Sequence, residues 1–383
     1  MPGSAPTRAS ETLHSGEFFV ARRFGRFIVV ELLGSHRVIS TSAHHGGERE
    51  DLLYLVNHQS CEARGDASRL EHISAIGLVA YHREVCIELG VSPGRTAVMG
   101  TAANMAYACH RQATFGELCA DAIVTAGVHG NSARAGDPAQ WTETRGGWER
   151  VSPHSGTINI ILLLNRPVTP SALARAVATM TEAKSAALAE LAVPSRYSAT
   201  IATGTGTDQF CVAAPLDPLR KPRDGTGPHV KLGELIGVCV RDATKEALRW
   251  QNGLEPSLTR GLFHALGRFG LTKEHAMASL AQLLPRDQYA LLEANQRAVF
   301  FDPGAGAAAY ALAAVLDRVA FGTIPEGLAR ETLRQQATCL ACVLASRPQD
   351  WDSIYRQLEE HDRDNPVDLA LLAIALGWKA KWT

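Results

Sequence analysis

The chain has 383 residues, of which 46% are hydrophobic and 20% are charged, a balance typical of a globular protein with room for two ordinary domains or one large one. Its 38 lysines and arginines oppose 39 acidic residues, so the formal net charge is -1, and no long basic run interrupts the sequence. The charge distribution expected of a nucleic-acid binder is therefore missing, and we expect no DNA or RNA partner.

The first seventeen residues are rich in Pro, Ser, Thr, His and Glu, and we predict that residues 1–17 form a flexible N-terminus. They contain no apolar core of a signal peptide, and the longest apolar stretches, near residues 304–316 and 369–378, are too short to span a bilayer. We therefore expect a cytoplasmic protein with no membrane partner. Eight scattered cysteines lack the density of a disulfide-stapled scaffold, which indicates reduced thiols.

Residues 18–253 alternate short apolar runs with longer amphipathic ones. Strands are predicted where β-branched and aromatic residues cluster between turn residues, and helices where apolar residues recur at helical spacing. The predicted strands lie within residues 18–42 and at residues 120–126, 157–164, 198–203 and 209–214, and the predicted helices lie near residues 69–89, 170–191 and 231–250.

This order of strand, helix and strand predicts an α/β fold, a layered sheet with flanking helices. After Asn252-Gly253 the pattern changes to helices almost throughout, interrupted by Gly, Pro and Asp breaks. We place a boundary near Gly253 and expect an all-α C-terminal extension over residues 254–383.

The first motif with chemical potential is TAGVHGNSARAGD, residues 125–137, which leaves a buried strand and carries Asn131, Arg134 and Asp137 beside three glycines. Loops at strand ends commonly hold ligands in α/β folds. The alternative is that the glycines make a turn and Asp137 caps the following segment.

The second motif is SGTINI, residues 155–160, in which Thr157 and Asn159 share one strand face behind Gly156. Two polar groups that face the same way favour binding of an amide. One alternative is a strand edge satisfied by solvent; another is a threonine nucleophile created by chain cleavage after Gly156.

The next two motifs are TEAK, residues 181–184, and TGTGTD, residues 203–208. Lys184 either belongs to a solvated helix face or is a desolvated cation that polarises a carbonyl group. The glycine-threonine turn is either a tight hairpin or an oxyanion-binding concavity with Asp208 at its exit.

The fifth motif, HVKLGELIG, places His229, Lys231 and Glu234 where a loop enters a helix. A histidine here serves as a cap or packed surface residue in the ordinary case, and as a general base or metal ligand in the functional one.

In this order the five motifs resemble the adenosylcobinamide amidohydrolase family, and STSAHHGG, residues 40–47, resembles a glycine turn of the same family. The resemblance extends from the N-terminal strands through about Asn252. It implies hydrolysis of adenosylcobinamide to adenosylcobyric acid and aminopropanol, with a small-molecule corrinoid as the substrate and partner. His129-Gly130 and Ser132 depart from the pattern, which bears on loop geometry and substrate choice.

Amide hydrolysis needs an activated water or nucleophile, donors for the oxyanion and an acid for the leaving amine. We assign water activation to Asp208 or His229, carbonyl polarisation to Lys184 with the Gly204 and Gly206 backbone, and orientation or proton delivery to Glu182 or Glu234. The expected substrate-binding residues are Asn131, Arg134, Asp137, Thr157, Asn159, Gly204, Thr205, Gly206, Thr207 and Lys231.

Several alternatives stay open at this point. The motifs imply no particular cofactor, but the spacing leaves room for a divalent metal held by Asp208, His229 and Glu234. The rival functions are an acyltransferase or hydrolase that uses Thr157 as the nucleophile, a related enzyme acting on a different amide, and a corrinoid-binding protein without turnover. A homo-oligomer is compatible with the sequence.

Overall fold

The computed structural model describes residues 10–139, 141–144, 147–150, 156–361 and 363–382. The chain forms two compact units, the first comprising Met1–Tyr197 and Ile201–Leu254 and the second comprising Ser198–Thr200 and Glu255–Thr383. Mixed sheets with flanking helices make up the first unit, and the second consists of helices, so the predicted fold class is confirmed.

The first unit contains fifteen strands among its described residues, and they are joined into two large sheets and two short ribbons. In chain order they are β1 (Glu11–Ser15), β2 (Phe19–Phe24), β3 (Phe27–Leu32), β4 (His36–Ser40), β5 (Gly47–Arg49), β6 (Tyr54–Gln59), β7 (Thr96–Thr101), β8 (Cys109–Phe115), β9 (Leu118–Ala126), β10 (Ser132–Ala133), β11 (Trp141–Thr144), β12 (Gly147–Arg150), β13 (Ile158–Leu164), β14 (Gly204–Thr205) and β15 (Gln209–Pro215).

Three helices accompany these strands: α1 (Ala67–Leu89), α2 (Pro170–Glu190) and α3 (Lys231–Asn252). The first sheet has the order β1-β2-β3-β6-β7 and the second has the order β5-β4-β15-β13-β9-β8. Strands β13 and β15 are parallel because α2 connects them, whereas β9 runs antiparallel to β13.

The buried residues arrange these elements in four layers. One apolar cluster fills the space between the two sheets, a second lies between the second sheet and the helices α2 and α3, and a third lies between the first sheet and α1. Strand β13 is buried at every position, and it is apolar except at Asn159: Ile158, Ile160 and Leu162 face the helices, while Ile161 and Leu163 face the other sheet.

Helix boundaries follow local capping chemistry. The Thr169 hydroxyl accepts a hydrogen bond from Ala172 N at 3.3 Å, Pro170 occupies the first turn of α2, and Gly253 ends α3 with a φ of 64°. Helix α1 contains a kink at Gly77, where φ is 78° and ψ is 160°. The helices predicted near residues 69–89, 170–191 and 231–250 coincide with α1, α2 and α3, so these three predictions are confirmed.

Two predictions differ from the structure. Residues 198–203 were predicted to form a strand, but they form bends with a single bridge between Ile201 and Pro194, so this prediction is wrong. The residues are β-branched and small, but they pair with no neighbouring strand. Residues 11–15, predicted to be flexible, pair with β2 as β1; residues 1–9 lie outside the described residues.

The second unit has its own core, in which buried leucines and alanines surround Phe300 and Trp378. No helix in the described parts of the chain is long and apolar enough to cross a membrane. The helices of this unit are α4 (Pro256–Thr259), α5 (Leu262–Leu266), α6 (Lys273–Leu283), α7 (Arg286–Ala294), α8 (Gln296–Phe300), α9 (Pro303–Ala320), α10 (Glu326–Ala345), α11 (Trp351–Glu360) and α12 (Pro366–Lys381).

Candidate active site

Three of the predicted motifs meet at one end of the second sheet. Strand β9 ends there at Ala126, whereas β13 and β15 begin there, since Ile158 pairs with Ala126 and Asn159 pairs with both Thr125 and Gln209. The loop after β9, the segment before β13 and the turn before β15 are therefore neighbours. Antiparallel pairing on one side of β13 and parallel pairing on the other side produce this convergence.

Asp208 is the hub of this end of the sheet. Its Oδ1 atom accepts hydrogen bonds from Ile158 N at 2.9 Å and from the Thr205 hydroxyl at 2.5 Å, and its Oδ2 atom accepts bonds from Thr205 N at 3.1 Å and from Lys184 Nζ. The side chains of Lys184 and Asp208 are only 11% and 17% exposed. Four donors thus fix the carboxylate and tie α2 to both strand starts.

The backbone N–H groups of the glycine-threonine turn have acceptors within the chain. Thr205 N donates to Asp208, Gly206 N donates to the Asn131 carbonyl oxygen at 3.3 Å, and Thr207 N donates to the Thr205 hydroxyl at 3.3 Å. These bonds make the turn rigid, and its Thr207 lies next to the segment that precedes β13.

Thr157 is the residue that this support positions. Its side chain is buried and its hydroxyl donates to the Thr207 carbonyl oxygen at 2.6 Å. Two cavities of about 300 and 470 Å³ meet at Ala102, Gly156 and Thr157, which line both of them. We call the two together the Thr157 cleft.

The smaller cavity has a neutral histidine in its wall. His58 Nδ1 lies 2.9 Å from the Met99 carbonyl oxygen and must carry the hydrogen, so Nε2 accepts the hydrogen bond from the Tyr81 hydroxyl at 2.9 Å. Tyr81 in turn accepts a bond from Arg69 at 3.2 Å. Burial lowers the pKa of His58 to about 4, and the neutral tautomer is therefore the one present at pH 7.

The larger cavity is lined by His129, which the sequence analysis had singled out only as a departure from the family pattern. Desolvation lowers the pKa of His129, and the positive charges of Arg196 and Arg64 lower it further. The imidazole is therefore neutral at pH 7 and can accept a proton, and it remains accessible to solvent.

Asn131 and Asn159 support the cleft from behind. The Asn131 amide donates to the Gly156 carbonyl oxygen at 3.0 Å and accepts a bond from the Tyr197 hydroxyl at 2.8 Å. Asn159 is fully buried between the sheets and donates to Asn57 at 2.9 Å. Both amides brace the backbone around the cleft.

Arg134 and Asp137 follow in the same loop and serve its folding. The Asp137 carboxylate accepts bonds from Arg134 N at 2.7 Å and from the Ser195 hydroxyl at 2.5 Å, so it closes the turn that precedes it. Ser155, the first residue of the SGTINI motif, lies outside the described residues.

The fifth motif lies at the other end of the second sheet. Lys231 Nζ is 4.6 Å from the centre of the Phe115 ring. Phe115 lies in the hairpin that joins β8 to β9, at the end of the sheet remote from Ala126. Lys231 also pairs with Glu234 at 2.6 Å. His229 is exposed two residues before this helix. The structure therefore separates this motif from Thr157 by the length of strand β13.

Glu182 and Glu234 lie together elsewhere, in a shallow groove of about 320 Å³ between α2 and α3. Among the described residues, Asp208, His229 and Glu234 do not form a group close enough to hold a metal ion. None of the five residues expected to be catalytic lines the cleft; Lys184 and Asp208 lie next to it, since Asp208 stands between Thr207 and Gln209, which line the smaller cavity.

Sequence reasoning missed His58, Tyr81, His129, Tyr197 and Gln209, which line or brace the cleft. Gln209 begins a strand that was predicted from its apolar neighbours, whereas His58 belongs to β6, for which the sequence analysis predicted no strand. The signal that could have identified such residues is a polar side chain inside a buried strand, because it needs a buried hydrogen-bond partner.

A family model described as adenosylcobinamide amidohydrolase matches residues 10–256, which is more than half of the chain and includes the whole Thr157 cleft. The chain belongs to the adenosylcobinamide amidohydrolase family. It is also similar to the uncharacterized protein MJ1613 of Methanocaldococcus jannaschii, with 34% identity over 184 residues that cover 46% of this chain and 71% of that protein. Membership in the adenosylcobinamide amidohydrolase family implies an amidohydrolase with a corrinoid substrate, and it leaves the helical second unit outside the match.

Proposed function

We propose that this protein hydrolyses the amide bond between aminopropanol and the corrin side chain of adenosylcobinamide, giving adenosylcobyric acid and aminopropanol for corrinoid salvage. The observation that carries the proposal is the Thr157 cleft, which lies within the residues that match the family model and joins a mainly apolar cavity to one with more polar groups in its wall.

The mouth of the smaller cavity suits one face of the corrin ring. Helix α1 contributes Leu70, Ile73 and Leu78 to its wall, and Leu70 and Leu78 are 50% and 60% exposed. Apolar side chains at the mouth of a cavity favour a large ligand with an apolar face, because the ligand removes them from water. The ring would lie against α1, with its amide arm directed toward Thr157.

The larger cavity supplies the side chains that we assign to the hydrolysis of the amide. We assign water activation to His129: the water oxygen attacks the amide carbon, and its proton passes to the neutral imidazole. When the substrate is bound, the Thr157 hydroxyl turns away from the Thr207 carbonyl oxygen and donates its one hydrogen to the oxygen that becomes negative. The carbon–nitrogen bond then breaks as the imidazolium returns the proton to the leaving amine.

Lys184 and Asp208 act as positioning residues in this scheme. They hold the turn that carries Thr207, whose carbonyl oxygen orients the Thr157 hydroxyl. His229, Glu182 and Glu234 lie away from the cleft and receive no role in it.

The test is incubation of the full-length protein with adenosylcobinamide, with and without a chelator, followed by mass spectrometry of the corrinoid product. We expect adenosylcobyric acid and free aminopropanol, with turnover that is unchanged by the chelator. If the protein binds adenosylcobinamide tightly without releasing product, it is a binding protein and the hydrolase assignment is wrong.

A second arm addresses the threonine-nucleophile alternative. Scission after Gly156 would yield two chains on a denaturing gel and a new N-terminal Thr157. We expect a single full-length band in an active preparation; two bands whose appearance parallels activity would contradict the water mechanism.

A further inference from the structure

A second cluster of metal-binding side chains lies outside the Thr157 cleft. His14 of β1, His110 of β8 and Asp121 of β9 each place a ligand atom so that all three atoms lie within 4.8 Å of one another. His110 Nε2 is 2.8 Å and His14 Nδ1 is 3.9 Å from the same oxygen, Asp121 Oδ1. Tetrahedral ligands at about 2.1 Å from a zinc ion lie about 3.4 Å apart, between these two distances.

The two sheets create this cluster jointly. Strand β1 is the edge of the first sheet and β8 is the edge of the second. Asp121 alternates along β9 with Ala120 and Ala122, which face the helices, so its side chain faces the first sheet. His14 pairs with Ala21, whose side chain belongs to the core between the sheets. The cluster therefore closes one side of that core.

The carboxylate at its centre is buried without a permanent positive charge beside it. Asp121 is 3% exposed, and among the described residues its ion pairs are with His14 and His110 alone. Its other polar contacts are the Gln112 amide at 3.0 Å from Oδ1 and the Cys119 thiol at 3.3 Å from Oδ2. A buried carboxylate is costly unless a cation compensates it.

We propose that His14, His110 and Asp121 bind a divalent cation of the zinc class, which joins the edge strands of the two sheets. Two imidazoles and one carboxylate are ligands that zinc accepts, and Cys119 and Gln112 hold the carboxylate in place. The site is distinct from the cleft: Asp121 is five residues before Ala126, which is roughly 17 Å along an extended strand.

The cation has a structural task in this proposal. His14 lies in the N-terminal strand, which is held on one side only, by β2. A metal bond from His14 to the second sheet would hold that strand in place, since ligand binding to the folded state stabilises it.

The test is metal analysis of the full-length protein after dialysis against zinc and then against metal-free buffer, with His110→Asn, Asp121→Asn and His14→Asn as variants. We expect one zinc per wild-type chain and at least tenfold weaker binding in each variant. Zinc should also raise the melting temperature of the wild type and slow hydrogen exchange in residues 10–15.

His72→Asn is the matched control, because His72 is an exposed histidine that pairs with Glu84 at 2.9 Å on α1. This variant should bind zinc as the wild type does. His14→Asn, at the end of an edge strand, keeps the test valid if a variant of the buried Asp121 fails to fold. Wild-type zinc content in the His14 and His110 variants, or failure of the wild type to bind zinc, would overturn the proposal.

Discussion

Lys184, in the middle of helix α2, forms an ion pair with Asp208 at the start of strand β15, and both side chains are largely withdrawn from solvent. The pair links the helix that precedes the turn to the strand that follows it. Because Asp208 also accepts a bond from Ile158 N, the same carboxylate fixes the segment that carries Thr157.

Replacement of Asp208 by Asn should therefore lower the free energy of unfolding by about 3 kcal/mol, since it leaves the Lys184 ammonium partly buried without its counter-charge. Urea unfolding of the two proteins measures this difference. The matched control is Lys245→Met, which removes an exposed pair with Glu190 and should change stability by less than about 1 kcal/mol. Equal losses of unfolding free energy in the two variants would mean that burial of the Lys184–Asp208 pair does not increase its contribution to stability.

Removal of the Thr157 hydroxyl should abolish most of the proposed turnover while keeping the fold. Thr157→Val has nearly the same shape, so we expect kcat to fall about a hundredfold or more with a smaller change in KM. Thr244→Val is the control, because that buried hydroxyl only bonds to the Val240 carbonyl oxygen within α3. Steady-state kinetics with adenosylcobinamide distinguish the two, and full activity of Thr157→Val would remove Thr157 from the mechanism.

The pH dependence of kcat/KM should report His129. A base must be neutral to accept a proton, and the pKa of His129 is lowered from 6.5, so activity should be constant at pH 7 and fall only at more acidic pH. In His129→Gln we expect most of kcat/KM to be lost, and the remaining activity should no longer fall at acidic pH. If the variant retains the wild-type profile, another group activates the water.

The stability of the first unit should fall in acid because of His58. Its folded pKa is about 4, whereas the unfolded value is near 6.5, so below pH 6.5 the unfolded state binds more protons and is favoured. Through His58, the free energy of unfolding is therefore lower at pH 4 than at neutral pH by roughly 3 kcal/mol. Denaturant unfolding at both pH values tests this. His58→Gln should show a smaller loss between them, and an unchanged loss would exclude His58 as its source.

The elements with strong periodicity could be predicted from the sequence alone. Strand β13 and helix α2 have the expected positions because a short, mainly apolar run and a Thr-Pro helix start are local signals. Residues 198–203 have strand-like composition but no neighbour to pair with, and pairing is a tertiary property. The short strand β1 gave no periodic signal at all.

The sequence by itself determined the family resemblance, the α/β class and the motifs that hold Asp208, Lys184 and Thr157. Only the tertiary structure decided which motifs meet. Parallel pairing of β13 with β15 and antiparallel pairing with β9 bring three motifs to one end of the sheet, whereas Lys231, at the start of α3, lies at the other end with His229 two residues before it. Linear order records which residues are present, but strand direction and helix length fix the distances between them.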